Sequence, residues 1–161
     1  MEERMADVEV LIDISEIDEM LSGMEKQLSG DKDAVKAGYF EGKKYPNGFE
    51  LALNALVQEY GTIDNGGFIP PRPFLSLAIE KNEAKWLRIF ETELNRGRTK
   101  EKALARVGEE MRNDIIRSID SNISPANKPS TIRQKGSSHT LIDTGTLKRS
   151  TATEVFKNDG T

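Results

Sequence analysis

Apolar positions in this chain recur with two different periods. Val8, Val10 and Ile12 alternate with Glu9, Leu11 and Asp13, a period of two that predicts a short, half-buried strand. From Ile17 the period lengthens. Ile17, Leu21, Met24 and Leu28 form one helical stripe, with Ser15 as its N-cap and Asp18 three residues on, close to a capping box. That helix is expected to end near Ser29 and Gly30. Residues 33–41 read as a second strand with Val35, Ala37 and Tyr39 on one side. Residues 45–48 read as a turn. Residues 49–60 read as a helix with Leu53, Leu56, Val57 and Tyr60 on its face, stopped by Gly61.

Gly61, Gly66, Gly67, Pro70, Pro71 and Pro73 crowd residues 61–73, which predicts an irregular loop. Loops of that length inside a domain tend to be functional or interfacial. Two longer helices follow. The first, over 73–94, carries Leu75, Ile79, Trp86 and Phe90 on its buried side, with Trp86 as a core anchor. The second, over 99–121, carries Leu104, Val107, Met111, Ile115 and Ile119, and Gly108 beside this stripe permits a close helix approach. Asn95, Arg96, Gly97 and Arg98 break the pattern between them, and the two are expected to pack as an antiparallel pair. Residues 121–140 return to loop chemistry, a short helical turn follows Gly145 and Thr146, and 151–156 is the final strand. The expected fold is a single α+β domain over 1–161. In it a small antiparallel sheet packs with about three to four helices, and the long loops 61–73 and 121–143 lie at subunit interfaces.

Composition narrows this. With 36% hydrophobic residues in 161, the chain can fill one modest core and leave much of its length for surface, loop and interface. The absence of cysteine excludes disulfides, thiolate zinc sites and cysteine nucleophiles. No run approaches the roughly 18 apolar residues needed to cross a bilayer, and the start is acidic rather than signal-like. A soluble protein made in the cytoplasm, with no membrane partner, is expected. Charge is unevenly spread. Residues 1–33 hold eleven Asp/Glu against three Lys/Arg, whereas residues 94–150 hold twelve Lys/Arg against six Asp/Glu. Two solvated faces account for this; so does head-to-tail complementarity between neighbouring subunits of a closed ring. A basic end facing nucleic acid is a third reading.

Candidate chemistry is sparse. His139 is the only histidine, in a serine-rich loop with no carboxylate fixed beside it, so it reads as a loop residue rather than a catalytic base. One histidine and no cysteine cannot supply the usual transition-metal ligands, and no calcium loop or phosphate-binding glycine pattern occurs. Leu141-Ile142-Asp143-Thr144-Gly145 is similar to the active-site loop of aspartic proteases. Those enzymes need substantial β-structure after that loop, and only sixteen residues follow Gly145. The structural reading is that Asp143 caps the helical turn through Thr146 and Leu147 while Gly145 frees the backbone. No enzymatic activity, cofactor or metal is expected.

Three segments carry a family resemblance. One is the strand and helix of the leader, from Val8 to Leu28. Another is Val57-Gln58-Glu59-Tyr60-Gly61-Thr62 followed by Ile69-Pro70-Pro71-Arg72-Pro73-Phe74-Leu75. The third is Ser130-Thr131-Ile132-Arg133-Gln134-Lys135-Gly136 followed by Leu141-Ile142-Asp143-Thr144-Gly145-Thr146-Leu147. In order and spacing they resemble the small tail-completion and neck proteins of long-tailed bacteriophages, similar to the HK97-type head–tail joining and tail terminator proteins. The resemblance runs from about residue 35 to 150. It implies a structural virion protein, a ring subunit, usually hexameric, that closes the head-proximal end of the tail. Its implied partners are other copies of itself, the major tail tube protein, head–tail connector proteins, and phage DNA passing through the lumen without sequence-specific binding. A connector or stopper ring of the neck is the alternative within the class, and a DNA-binding accessory protein the alternative outside it. Candidate interface residues are Arg72, Pro73, Phe74, Arg133, Lys135, Asp143, Thr144 and Gly145. Arg72, held between prolines, either pairs with a carboxylate of its own or a neighbouring subunit or simply covers the start of the helix.

Overall fold

The computed structural model describes residues 33–64, 67–141 and 145–157; the strand expected at Val8 to Ile12 and the helix expected at Ile17 to Leu28 lie outside them. The order is β1 (Ala34–Gly38), α1 (Leu51–Tyr60), β2 (Thr62–Asp64), β3 (Gly67–Ile69), α2 (Phe74–Asn95), α3 (Lys100–Asp120), α4 (Pro129–Lys135), α5 (Thr146–Arg149) and β4 (Ala152–Phe156). This is the expected α+β class.

α2 and α3 form the framework. Their connection turns at Gly97 (φ 77°), a left-handed conformation that suits glycine. The Thr99 side chain then caps α3 by accepting from the Lys102 amide at 3.3 Å. Lys85 meets Glu110 at 3.1 Å midway, and the Ser118 hydroxyl donates to the Phe74 carbonyl at 2.7 Å at the far end. The pair is therefore antiparallel, as its short connection predicts.

β1 pairs antiparallel with β4 in the register Ala34↔Phe156 to Gly38↔Ala152. This ribbon lies on α3 where Gly108 has no side chain; a β-carbon there would come within 2.8 Å of Val35 Cγ2. The close approach that Gly108 permits is thus to a sheet and not to a helix. Around residues 45–48 the expected turn is present, with the Gly48 amide donating to the Tyr45 carbonyl at 2.9 Å.

Residues 61–73 are more regular than expected. β2 and β3 pair antiparallel, Thr62↔Ile69 and Ile63↔Phe68. Thr62, Ile63, Phe68 and Ile69 are β-branched or aromatic and favour extended backbone, and the three prolines fall outside the strands, where no ladder donor is needed. The 121–143 stretch likewise contains a helix. Pro129 fits the first turn of α4, and Gly136 ends it in the left-handed region, its amide donating to the Ile132 carbonyl at 2.8 Å.

The core gathers Leu51 and Ala55 of α1, Phe74 and Ala78 of α2, Ile115 and Ile119 of α3, and Leu141 and Leu147 near α5. Tyr39 meets Phe74 edge-on, 6.1 Å between ring centres. Two helical faces are rotated from expectation. In α1 the buried positions are Leu51, Ala55 and Glu59, while Leu53, Leu56 and Val57 are half-buried and Tyr60 is exposed. In α2 Phe74, Ala78 and Trp86 are buried and Ile79 is exposed. In both, a small alanine takes the place of a branched residue at the contact, letting the backbones approach. Among the described residues no helix is long and apolar enough to cross a membrane.

Candidate functional site

The corner between α1 and α2 is built by the residues of one motif. Gly61 ends α1 at φ 72°, its amide donating to the Val57 carbonyl at 2.8 Å. A β-carbon on Gly61 would lie 2.5 Å from the Ile69 carbonyl oxygen and 2.8 Å from the Pro71 nitrogen, so only glycine fits. The Arg72 amide returns to the Gln58 carbonyl at 2.7 Å. Pro73 stands at the N-cap of α2 and offers no side-chain acceptor. Glu59, buried on α1, supplies one across the corner. Its carboxylate accepts from the Leu75 amide at 2.8 Å, the Ser76 amide at 2.9 Å and the Ser76 hydroxyl. A carboxylate at a helix N-terminus satisfies orphan amides and complements the helix dipole. The segments Val57 to Thr62 and Ile69 to Leu75 are therefore two halves of one device. Sequence reasoning overlooked Glu59 as its centre; the available signal was a carboxylate in the last turn of a helix just before a glycine stop.

Arg72 extends this corner to the far end of the chain. Its side chain is only 6% exposed. Nε donates to the Pro125 carbonyl at 3.0 Å and Nη2 to Asn127 Oδ1 at 3.3 Å. Burial draws the guanidinium below the usual arginine range. Among the described residues its partners are neutral oxygens and no carboxylate. Asn127, itself buried, passes the connection on, donating to the carbonyls of His139 at 3.1 Å and Ser138 at 3.5 Å. Asn122, in the left-handed region at φ 56°, accepts from the Thr140 amide at 2.9 Å. The 122–141 stretch is thereby closed on itself and tied to the α1–α2 corner through Arg72.

Between these elements lies an open cleft of about 660 Å³, lined by Phe49, Gln58, Phe68, Arg72, Asn127 and Lys128 among others. Phe49 and Phe68 are exposed on it, and Gln58 Oε1 is buried with no hydrogen-bond partner among the described residues.

The candidate interface residues separate into groups. Arg72 lines the cleft, and Pro73 follows it as the N-cap of α2. Phe74 is fully buried, so its side chain belongs to the core and is not presented to a partner. Arg133 is exposed on α4, whose last residue is Lys135. Gly145 begins α5 at φ 74°, and a β-carbon there would meet Arg149 Nη1 at 2.7 Å. Asp143 and Thr144, with the expected Asp143 cap, lie outside the described residues. His139 Nε2 lies 3.2 Å from the Asp120 carbonyl oxygen.

A second polar cluster lies within the α2–α3 pair. The Trp86 indole donates to Asp114 Oδ2 at 2.8 Å, and Lys85 and Arg117 pair with the same carboxylate at 2.5 and 2.6 Å. Glu110 joins Lys85, Arg117 and Arg106 at 3.1, 3.3 and 3.4 Å. Burial raises the Asp114 pKa, but hydrogen bonds from Lys85, Trp86 and Arg117 outweigh it and hold the carboxyl below its ordinary value. Glu110 is held down chiefly by Lys85. Carboxylates so fully engaged make weak bases, and the cluster reads as a structural clasp. Much of the basic surplus of residues 94–150 is likewise committed. Arg96 and Arg98 pair with Glu93, Lys100 with Asp33 and Lys148 with Asp120. Among the described residues no group of three or more His, Asp or Glu is placed to hold a metal ion.

No family model, curated protein or solved structure matches this chain.

Proposed function

We propose that this chain is a structural subunit of a bacteriophage tail-completion ring, at the head-proximal end of the tail, joining tail to neck and letting DNA pass. The observation that carries this reading is spatial. The Val57 to Thr62, Ile69 to Leu75 and Ser130 to Leu147 segments, whose order resembles that family, converge on one cleft tied together through Arg72. The convergence gives the motif residues a common purpose. Gly61, Glu59 and Arg72 fix a stiff corner, and that corner holds out the β2–β3 hairpin with exposed Phe68. A rigid corner bearing an exposed aromatic hairpin suits an assembly contact, because little ordering entropy is lost on docking.

The rival reading, a DNA-binding accessory protein, has less support, since ion pairs occupy half of the basic region's twelve positive charges. Electron microscopy and native mass measurement of the full chain, alone and with purified tail tubes, test the proposal. A closed ring, hexameric by the resemblance, is expected at one end of the tube. A protein that stays monomeric and never joins tails overturns it.

A further inference from the structure

α2 carries an apolar stripe that nothing in the described chain covers. Ile79, Leu87 and Leu94 are 51%, 60% and 40% exposed. At 100° per residue they fall within about 80° of one another, spread along about 22 Å of helix. Isolated exposed leucines need no explanation, but an aligned row of them does.

The chain holds a matching surface. Residues 1–32 contain the stripe Ile17, Leu21, Met24 and Leu28, about 16 Å long if helical. Where this segment joins the body is fixed. Asp33 pairs with Lys100 at 3.2 Å, at the turn where α2 ends just beyond Leu94. Only residues 29–32 separate Leu28 from Asp33, a span of at most about 17 Å. Leu28 is thereby kept within reach of the turn just beyond Leu94, and a helix leading into it can run alongside α2, which sets Leu21 near Leu87 and Ile17 about opposite Glu83, one turn short of Ile79. Charge favours the turn end. Residues 1–32 hold ten acidic and three basic side chains, and the turn and start of α3 carry Arg96, Arg98, Lys100 and Lys102; Arg96 and Arg98 share the one carboxylate of Glu93 and Lys100 takes Asp33, which leaves this end net positive. Glu80, Glu83 and Glu91 flank the stripe further along, so the apolar match must act there.

We infer that the acidic leader, residues 1–32, docks on the Ile79–Leu87–Leu94 face of α2 in its own subunit, running parallel to that helix. The inference stands whether or not the chain builds a ring. The absence of native cysteine allows a direct test in the full chain. Met24→Cys with Leu87→Cys is compared with Met24→Cys and Glu109→Cys, the latter on the exposed side of α3. Under mild oxidation the first pair should close at monomer mass about ten-fold faster than the second, as expected for two groups held together. In a second measurement, Leu87→Asp, a change at an exposed site, should speed hydrogen exchange of residues 17–28 while leaving α3 unchanged. Equal closure rates overturn the inference. So does a first pair that links only at dimer mass, which would assign the leader to another copy. So does exchange of 17–28 that ignores Leu87→Asp.

Discussion

Gly108 of α3 and Val35 of β1 are so close that no β-carbon fits between them: one would lie 2.8 Å from Val35 Cγ2 and 3.4 Å from Thr153 Cβ. Val35 is β-branched and stiff about its first side-chain torsion, so its methyl cannot swing aside cheaply. Gly108→Ala should therefore destabilise the protein by about 1 kcal/mol, the overpacking cost exceeding the helix-propensity gain. With Val35→Ala already present, the same change should become neutral or stabilising by up to about 1 kcal/mol. Urea unfolding of the four proteins in this cycle checks both signs.

Asp114 should matter more than any other charged residue of the α2–α3 pair. Its side chain is 2% exposed and holds Trp86, Lys85 and Arg117 at once. Asp114→Ala leaves the buried indole N–H without an acceptor and should cost about 2–3 kcal/mol. Asp114→Asn keeps an acceptor for Trp86 and should cost less. Thermal melts followed by tryptophan fluorescence separate the two.

The pH dependence has two limbs. Asp114 and Glu110 bind protons less readily folded than unfolded, because Lys85 and its neighbours favour their charged forms. Their contribution is complete above the ordinary carboxylate pKa, about 4, and disappears as the pH falls through the depressed folded values. The urea midpoint should fall on acidification, more shallowly in Asp114→Asn. Tyr39 behaves oppositely. Burial, partly offset by its hydrogen bond to Thr151, pushes its phenol up to about 12. That contribution is complete below about pH 10 and is lost as the pH rises through the folded value. A late phenolate absorbance step, absent in Tyr39→Phe, identifies it.

Arg72→Lys should not be conservative. Lysine cannot reproduce the fork that joins Pro125 and Asn127. Loss of these bonds should cost about 2 kcal/mol and raise hydrogen exchange selectively in residues 122–141. Unchanged exchange there would mean that the arginine merely fills space.

The elements set by local rules were readable from sequence: the α2–α3 hairpin, the last strand, and the short helical turn of α5. What escaped depended on partners distant in the chain. Ala55 and Ala78 look unremarkable beside Leu56 and Ile79, yet smallness at a helix contact outweighs hydrophobicity there. The β2–β3 hairpin was hidden by the glycines and prolines that bound it. Of the candidate site, Arg72 was found through its prolines, but Glu59, Asn122 and Asn127 were not, since a buried polar residue is recognisable only once its partners are placed.

The β1–β4 register sets Ala34 directly beside Phe156, and adjacent residues of α3 hold the flanks: Lys100 takes Asp33, and Glu101 takes Lys157 at 2.8 Å. Whatever precedes residue 33 and whatever follows residue 157 emerge at one spot. The body is thus nearly a closed loop of chain. A few-residue linker between those points should permit circular permutation, and labels placed at residue 33 and at residue 157 should report from the same place on the body.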